Sequence, residues 1–427
     1  MKEWLKISLV LCVFGVFREN RPSEPFITEY LLHEYPGNLT QQQVIQEVFP
    51  LGTYFYAAQL VIVFLITDFL RYKPLIILIG VCGIIVWSLL IWTKSLLAIQ
   101  FVEFFYGTYM AAEVAYYTYI YAKVNKKYYA KVTSHTRAAI FCGKLFASIS
   151  SQILIQFKVL TYGGLNYITL ASQIIATFWA VFIPPVKTSI YFHQKEADTP
   201  NNGSLEEIAV PESKGKMSPL KLLWSHFRNA YSNVKVVQWS IWYSLGLCGW
   251  LQVINYIQLL WSDISDKEQI AWNGAVEAIL TFLGACFALL AGYLHTGRVN
   301  SQISLLIFAG LSALEGMALL LAAWTYNIFC AYAGYVIFGA LFAFTITIAS
   351  TEVARHLQED SFGLVFGINT LVATALQSLL TVIVVSESGL ALSVVQQYGV
   401  YAFYFIGMGL LFLCFAIFEY LYNKFYK

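Results

Sequence analysis

Two carboxylates, Glu103 and Glu113, lie within residues 101–123, FVEFFYGTYMAAEVAYYTYIYAK, a stretch long enough to cross a bilayer. A hydrocarbon core of about 30 Å takes roughly 20 apolar residues as helix, and an acid held inside it is costly enough that it usually faces a polar cavity. Glu113 is therefore the first candidate for a site. Tyr116 follows three residues later on nearly the same helix face, so a carboxylate and an aromatic ring present themselves together. A cation suits both.

Other polar groups in apolar surroundings extend the candidate set. In Arg21-Pro-Ser-Glu-Pro-Phe26 two prolines remove backbone donors and break regular helix beside Arg21 and Glu24. Either these two charges pair to hold a bundle together, or they serve transport, with Glu24 in substrate contact or proton coupling. Lys144 and Arg137 stand seven residues apart on one helix face, and Asn273 and Glu277 one turn apart on another. A bridge from Lys144 to a carboxylate on another span and a direct transport role are both open. Asp68 is followed one turn later by Arg71 in a short loop, which reads as structure and gating.

The elements that position these groups are membrane spans. Of 427 residues, 59% are hydrophobic and only 12% charged, where soluble domains carry about a quarter. Mean hydropathy is +0.64. The N-terminus has the basic start and apolar run of a signal peptide without a small-x-small cleavage site, and reads as a retained first span. Apolar segments fall near 4–32, 51–70, 74–93, 97–122, 132–157 and 163–184, then near 236–261, 270–294, 301–324, 327–351, 362–385 and 394–422. The expected fold is thus an all-α membrane protein of twelve transmembrane helices in two six-helix bundles, 1–184 and 236–427, joined by a cytoplasmic linker loop, 185–235. Twelve spans split six and six is the count of a major-facilitator-type transporter, with a central cavity between the bundles. Residues 196–220, rich in Pro, Gly, Ser, Asn and acids, read as a flexible tether.

Loop charge tests the topology independently, because cytoplasmic loops collect Lys and Arg. With both termini inside, 20 of the 26 basic residues fall in cytoplasmic segments, Lys94, Lys158 and Lys267 fall outside, and Arg18, Arg21 and Lys144 lie within spans. The reversed topology inverts this bias. The same orientation puts the glycosylation sequon Asn38-Leu39-Thr40 outside. A net charge of +2 gives no basic surplus for nucleic acid. The seven cysteines are scattered through apolar stretches without metal-like spacing, so no metal or cofactor is expected. No phosphate-cradling GxxxxGK, HExxH or GxSxG occurs, which argues against an enzyme and against an ATP-driven pump.

Several motifs together resemble the reduced folate and thiamine carriers: the segment from Arg21 to Leu31, Thr-Asp-Phe-Leu-Arg-Tyr-Lys-Pro at 67–74, Glu-Phe-Phe-Tyr-Gly at 103–107, Asn-Gly-Ala-Val-Glu-Ala at 273–278, and Leu-Val-Phe-Gly-Ile-Asn-Thr at 364–370. The resemblance runs in order along nearly the whole chain. It implies a major-facilitator fold in the plasma membrane and uptake of a water-soluble B vitamin. Reduced folates carry two carboxylates and thiamine a fixed thiazolium cation, so the two substrates ask for pockets of opposite sign. In the folate branch an arginine matches Glu113, and two further basic residues match Gly339 and Gln377; all three cations are absent here. The thiamine branch is similar at Ala-Ala-Glu-Val-Ala-Tyr-Tyr, and its binding residues carry over to Glu24, Phe49, Glu113, Tyr116 and Asn273. A tryptophan of that branch matches Gly52, a loss that would weaken ring stacking or widen the pocket. The resemblance therefore implies thiamine uptake by alternating access, with reduced folate as the alternative substrate, pyridoxine open, and a non-translocating receptor as the reading from another class.

Overall fold

The computed structural model describes residues 2–186, 219–265, 271–294, 301–357 and 361–426; most of the linker, residues 187–218, lies outside these, as do Lys267 and Arg298. The first half holds α1 (Glu3–Glu19), α2 (Phe49–Thr67), α3 (Lys73–Trp92), α4 (Leu96–Ala111), α5 (Glu113–Lys123), α6 (Tyr129–Gln156) and α7 (Tyr162–Ala180). The second holds α8 (Pro219–Tyr231), α9 (Val234–Ile264), α10 (Asn273–Leu294), α11 (Ser301–Trp324), α12 (Ile328–Arg355), α13 (Phe362–Val384) and α14 (Val394–Tyr426). No strand occurs among the described residues.

The helix boundaries follow local chemistry. Pro50 and Pro74 sit in first turns, where a missing N–H costs nothing. Side chains of Ser95, Thr161, Asn233 and Asn327 accept from backbone N–H groups one to three residues into α4, α7, α9 and α12. Among the described residues, eight helices are long and apolar enough to cross a membrane by length and composition. The helices at the first, fourth, sixth and seventh expected spans fall short of that pattern. α1 is short, the fourth span breaks at Ala112 into α4 and α5, and α7 and α9 carry buried Asn166, Gln173 and Gln252. These polar groups serve the interior.

Within the first half α1 packs on α6, α2 on α4 and α3 on α7; within the second α11 packs on α14 and α10 on α12. Outward-facing Ile62, Phe146, Phe178, Leu289, Phe403 and Phe418 form an apolar belt suited to lipid. The stretch expected to be a tether, 196–220, lies outside the described residues except for its last two. From there Pro219–Tyr231 is a helix in which Trp224 stacks on Phe227 and Phe227 meets Tyr231 at a tilt. Tyr231 donates to Asn369 Oδ1 at 2.8 Å, fixing this helix to α13. At 13 residues it is too short to register in a span-length hydropathy window.

The halves meet along α6–α10 and α2–α13. At the end nearest the first loop, Gln152 donates to the Ala271 carbonyl and accepts from the Ala275 N–H, while Gly274 lies against α6. A Cβ at Gly274 would stand 2.8 Å from Ser151 Oγ, 2.9 Å from the Ser148 carbonyl and 3.0 Å from the Gln152 nitrogen. Two of these are backbone atoms that cannot swing aside. Gly274→Val is therefore expected to hold the halves apart and cut uptake by about tenfold at normal surface expression, an overpacking effect of about 1–3 kcal/mol. Unchanged uptake at matched expression would show that this contact does not close in transport.

Candidate functional site

The site is organised by the broken first span. Helix α1 stops at Glu19, and the chain continues through a 3-10 turn at Glu24–Phe26 and short helical pieces to Glu34. The proline-rich break leaves helix-end carbonyls without partners, and neighbours supply them. Tyr109 Oη and Gln173 Nε2 both donate to the Arg18 carbonyl at 3.0 Å, and Ser172 Oγ donates to that of Phe17 at 2.9 Å. Beyond the break, Trp87 Nε1 donates to Ser23 Oγ at 2.9 Å, and the Ser23 N–H donates to Thr169 Oγ1 at 3.2 Å. The irregular segment is thereby pinned to α3, α4 and α7.

Pinning it sets a ladder of charges inside the first half. Arg18 pairs with Glu19 at 2.8 Å and with Glu113 at 2.7 Å, and its guanidinium lies 4.9 Å from the Tyr109 ring centre. Arg21 pairs with Glu19 at 2.9 Å and with Glu24, and its guanidinium lies 5.4 Å from the centre of the same ring. Tyr106 Oη also donates to Glu24 Oε1, at 2.8 Å. Across the halves, Lys144 Nζ meets Glu277 Oε2 at 3.4 Å while Tyr335 Oη donates to Glu277 Oε1 at 2.9 Å. The bridging alternative for Lys144 is thus the geometry observed.

A cavity of about 320 Å³ opens between the halves beside this ladder. Glu24, Phe49, Gly52, Glu103 and Tyr106 line it from the first half, and Trp250, Asn255, Gln258 and Gln377 from the second. Gln258 ties the wall together by donating to the Glu24 carbonyl at 2.9 Å and accepting from the Thr28 N–H at 3.1 Å. Asn255 Nδ2 donates to Thr53 Oγ1 at 3.2 Å. The Glu103 carboxylate has no hydrogen-bond or ion-pair partner among the described residues. It lies against Gly52, where an added Cβ would come 2.1 Å from its Oε2. The space beside Gly52 is therefore filled by a carboxyl group, not left open.

The predicted residues divide. Glu24 and Phe49 line the cavity together with Arg21, Lys144 and Glu277. Glu113, Tyr116 and Asn273 stand outside its lining. Glu113 and Tyr116 were expected to face a cavity together, but the face they share turns toward α1. Glu113 is bound to Arg18, and Tyr116 is fully buried, its hydroxyl donating to the Leu11 carbonyl at 2.9 Å and its ring 5.4 Å from that of Phe14. Asn273 is buried and accepts from Tyr332 Oη at 3.2 Å. Asp68 accepts from Tyr72 Oη at 2.7 Å, and Arg71 and Tyr72 take φ of 59° and 65°, the left-handed region that glycines usually fill. Asn38 is exposed in the first loop. Arg18 and Glu103 stand out in the sequence only as charges within spans, and Tyr106 only as part of the motif at 103–107; the structure brings all three to the site. For Glu103 and Tyr106 a further signal is the spacing Glu103-x-x-Tyr106, which repeats that of Glu113-x-x-Tyr116 ten residues earlier.

Solved transporters share this architecture. A POT family transporter, PepTSo, superposes with a TM-score of 0.68 at 12% identity, covering 99% of each chain. The nucleoside transporter NupG does so at 0.64 and 14% identity, covering 96% of this chain and 99% of its own. That likeness establishes the fold, two helical halves around a central cavity. The family model for the reduced folate carrier matches residues 2–400. Human thiamine transporter 1 is 38% identical over 96% of this chain and 89% of its own length, and Caenorhabditis elegans folate transporter 1 is 34% identical over 94% and 90%. The chain belongs to the reduced folate carrier family, as its motifs led us to expect.

Proposed function

We propose that this chain takes up thiamine across the plasma membrane by alternating access, crossing the bilayer twelve times with both termini in the cytoplasm. The halves, 1–184 and 236–427, would rock about the cavity, with α6–α10 and α2–α13 as the sliding contacts. The charge balance of the site carries this reading. Arg18, Arg21 and Lys144 are each engaged by carboxylates, whereas the Glu103 carboxyl faces the cavity with no partner among the described residues, so an incoming cation is what would hold it ionised. In the ladder and cavity together, five carboxylates (Glu19, Glu24, Glu103, Glu113, Glu277) stand against three cations. A buried excess of negative charge favours a cationic guest and opposes a dianion.

In this reading Glu103 is the counter-charge to the thiazolium, Phe49 and Tyr106 pack against its rings, and Glu24 contributes a second carboxylate already shared with Arg21. Glu113, paired with Arg18, holds α5 to α1. The test is radiolabelled uptake in cells expressing the chain, comparing thiamine, a reduced folate and pyridoxine, each with excess unlabelled competitor. Thiamine uptake without folate uptake is the expected result. Folate uptake would overturn the acidic-pocket reading, and binding of thiamine to vesicles without internalisation would reassign the chain as a receptor.

A further inference from the structure

The second-half wall of the cavity carries a group that the counter-charge reading leaves unused. Gln377 projects from α13 into the lining and is only 2% exposed. Its Oε1 is buried without a hydrogen-bond partner, and its amide makes no hydrogen bond among the described residues. Its surroundings are otherwise satisfied. One turn further along α13, Thr381 Oγ1 bonds both the Gln377 carbonyl at 3.0 Å and Gln252 Oε1 at 3.1 Å, and Gln252 in turn donates to Tyr401 Oη at 2.9 Å. Nearby, Trp250 lines the same wall, held by a 4.8 Å stack on Phe342 with the rings 2° from parallel. A buried amide oxygen left without a partner costs about 1–3 kcal/mol, a price that packing with leucine would avoid.

A carboxamide offers one acceptor and two donors in a single plane. That arrangement complements a neutral heteroaromatic edge in which an exocyclic amine adjoins a ring nitrogen, and it is indifferent to fixed charge. We propose that Gln377 is a specificity-determining residue of the cavity, whose amide hydrogen-bonds the neutral aminopyrimidine-type ring of the substrate against the Trp250 wall. The cationic ring then lies toward Glu103 on the opposite half. The substrate so bridges the halves: one wall reads charge, and the other reads hydrogen-bonding pattern. This inference rests on the thiamine reading above.

The experiment compares wild type with Gln377→Leu, which keeps volume and removes hydrogen bonding, and with Gln377→Asn, which keeps the amide on a shorter stem. Surface expression is measured for each. The probes are thiamine and a thiazolium cation lacking the pyrimidine, both as inhibitors of labelled thiamine uptake. Gln377→Leu is expected to weaken thiamine by about tenfold, the worth of one lost hydrogen bond to a buried group, while the inhibition constant of the thiazolium fragment stays unchanged. Gln377→Asn is expected to recover part of the loss. Equal weakening of both probes, or unchanged thiamine affinity in Gln377→Leu at normal expression, overturns the role of Gln377 and leaves the thiamine reading standing. Wild type that is inhibited by neither probe overturns both. Should Gln377→Leu fail to reach the surface, the thiamine-to-fragment ratio of Gln377→Asn decides alone: a ratio equal to that of wild type counts against the proposal.

Discussion

Glu103→Gln is expected to raise the KM for thiamine by at least about thirtyfold while leaving surface expression near that of wild type. Removing one member of a desolvated charge pair costs about 2–5 kcal/mol, and each 1.4 kcal/mol is tenfold in affinity. The cost falls on binding, because Glu103 engages no protein partner and its loss strands no buried cation. Glu113→Gln makes the control. Its carboxylate belongs to Arg18, so the substitution should leave KM within a few-fold of wild type. Reversal of this order, with Glu113→Gln abolishing affinity and Glu103→Gln neutral, would return the counter-charge to α5 and mean that the transport cycle turns that helix toward the cavity.

Arg18→Met should produce the largest loss of stability. Arg18 is 1% exposed and is the shared partner of Glu19 and Glu113, so its removal leaves the half-buried Glu113 without a cation and Glu19 with Arg21 alone. Breaking a buried pair from one side costs about 3–5 kcal/mol. A methionine fills the volume over Tyr109 but supplies no charge. Thermal unfolding of the purified protein in detergent should show a clear fall in Tm, and surface expression should drop with it. Glu113→Gln, in which Arg18 keeps Glu19, should be milder. Adding Glu113→Gln to Arg18→Met should then recover part of the loss, because the carboxylate left without a cation is gone. Equal Tm for Arg18→Met and wild type would mean that water, not Arg18, compensates these acids.

The membrane class, the helical fold and the family were legible in the chain itself. Apolar runs of span length, sparse charge and ordered motifs are local properties, and bilayer thickness converts them directly into helices. The break at Pro22 and Pro25 was equally local, since proline removes a backbone donor wherever it stands. The helix at Pro219–Tyr231 escaped notice because it crosses nothing and falls below span length.

What the sequence left undecided was which buried acid is used by the protein and which is offered to a guest. Glu103-x-x-Tyr106 and Glu113-x-x-Tyr116 present the same residue types at the same helical spacing, and nothing local ranks them. The difference lies in the neighbours. Folding brings Arg18 from α1, 95 residues away in sequence, to Glu113 at 2.7 Å, while Glu103 meets only the empty side of Gly52. Likewise Lys144 finds Glu277 only because α6 packs on α10. Charge in a low-dielectric interior is worth what its partner makes it. Residue identities determined that this protein buries ionisable groups inside a membrane transporter; the tertiary packing alone decided which of the acids is left without a protein partner in the cavity.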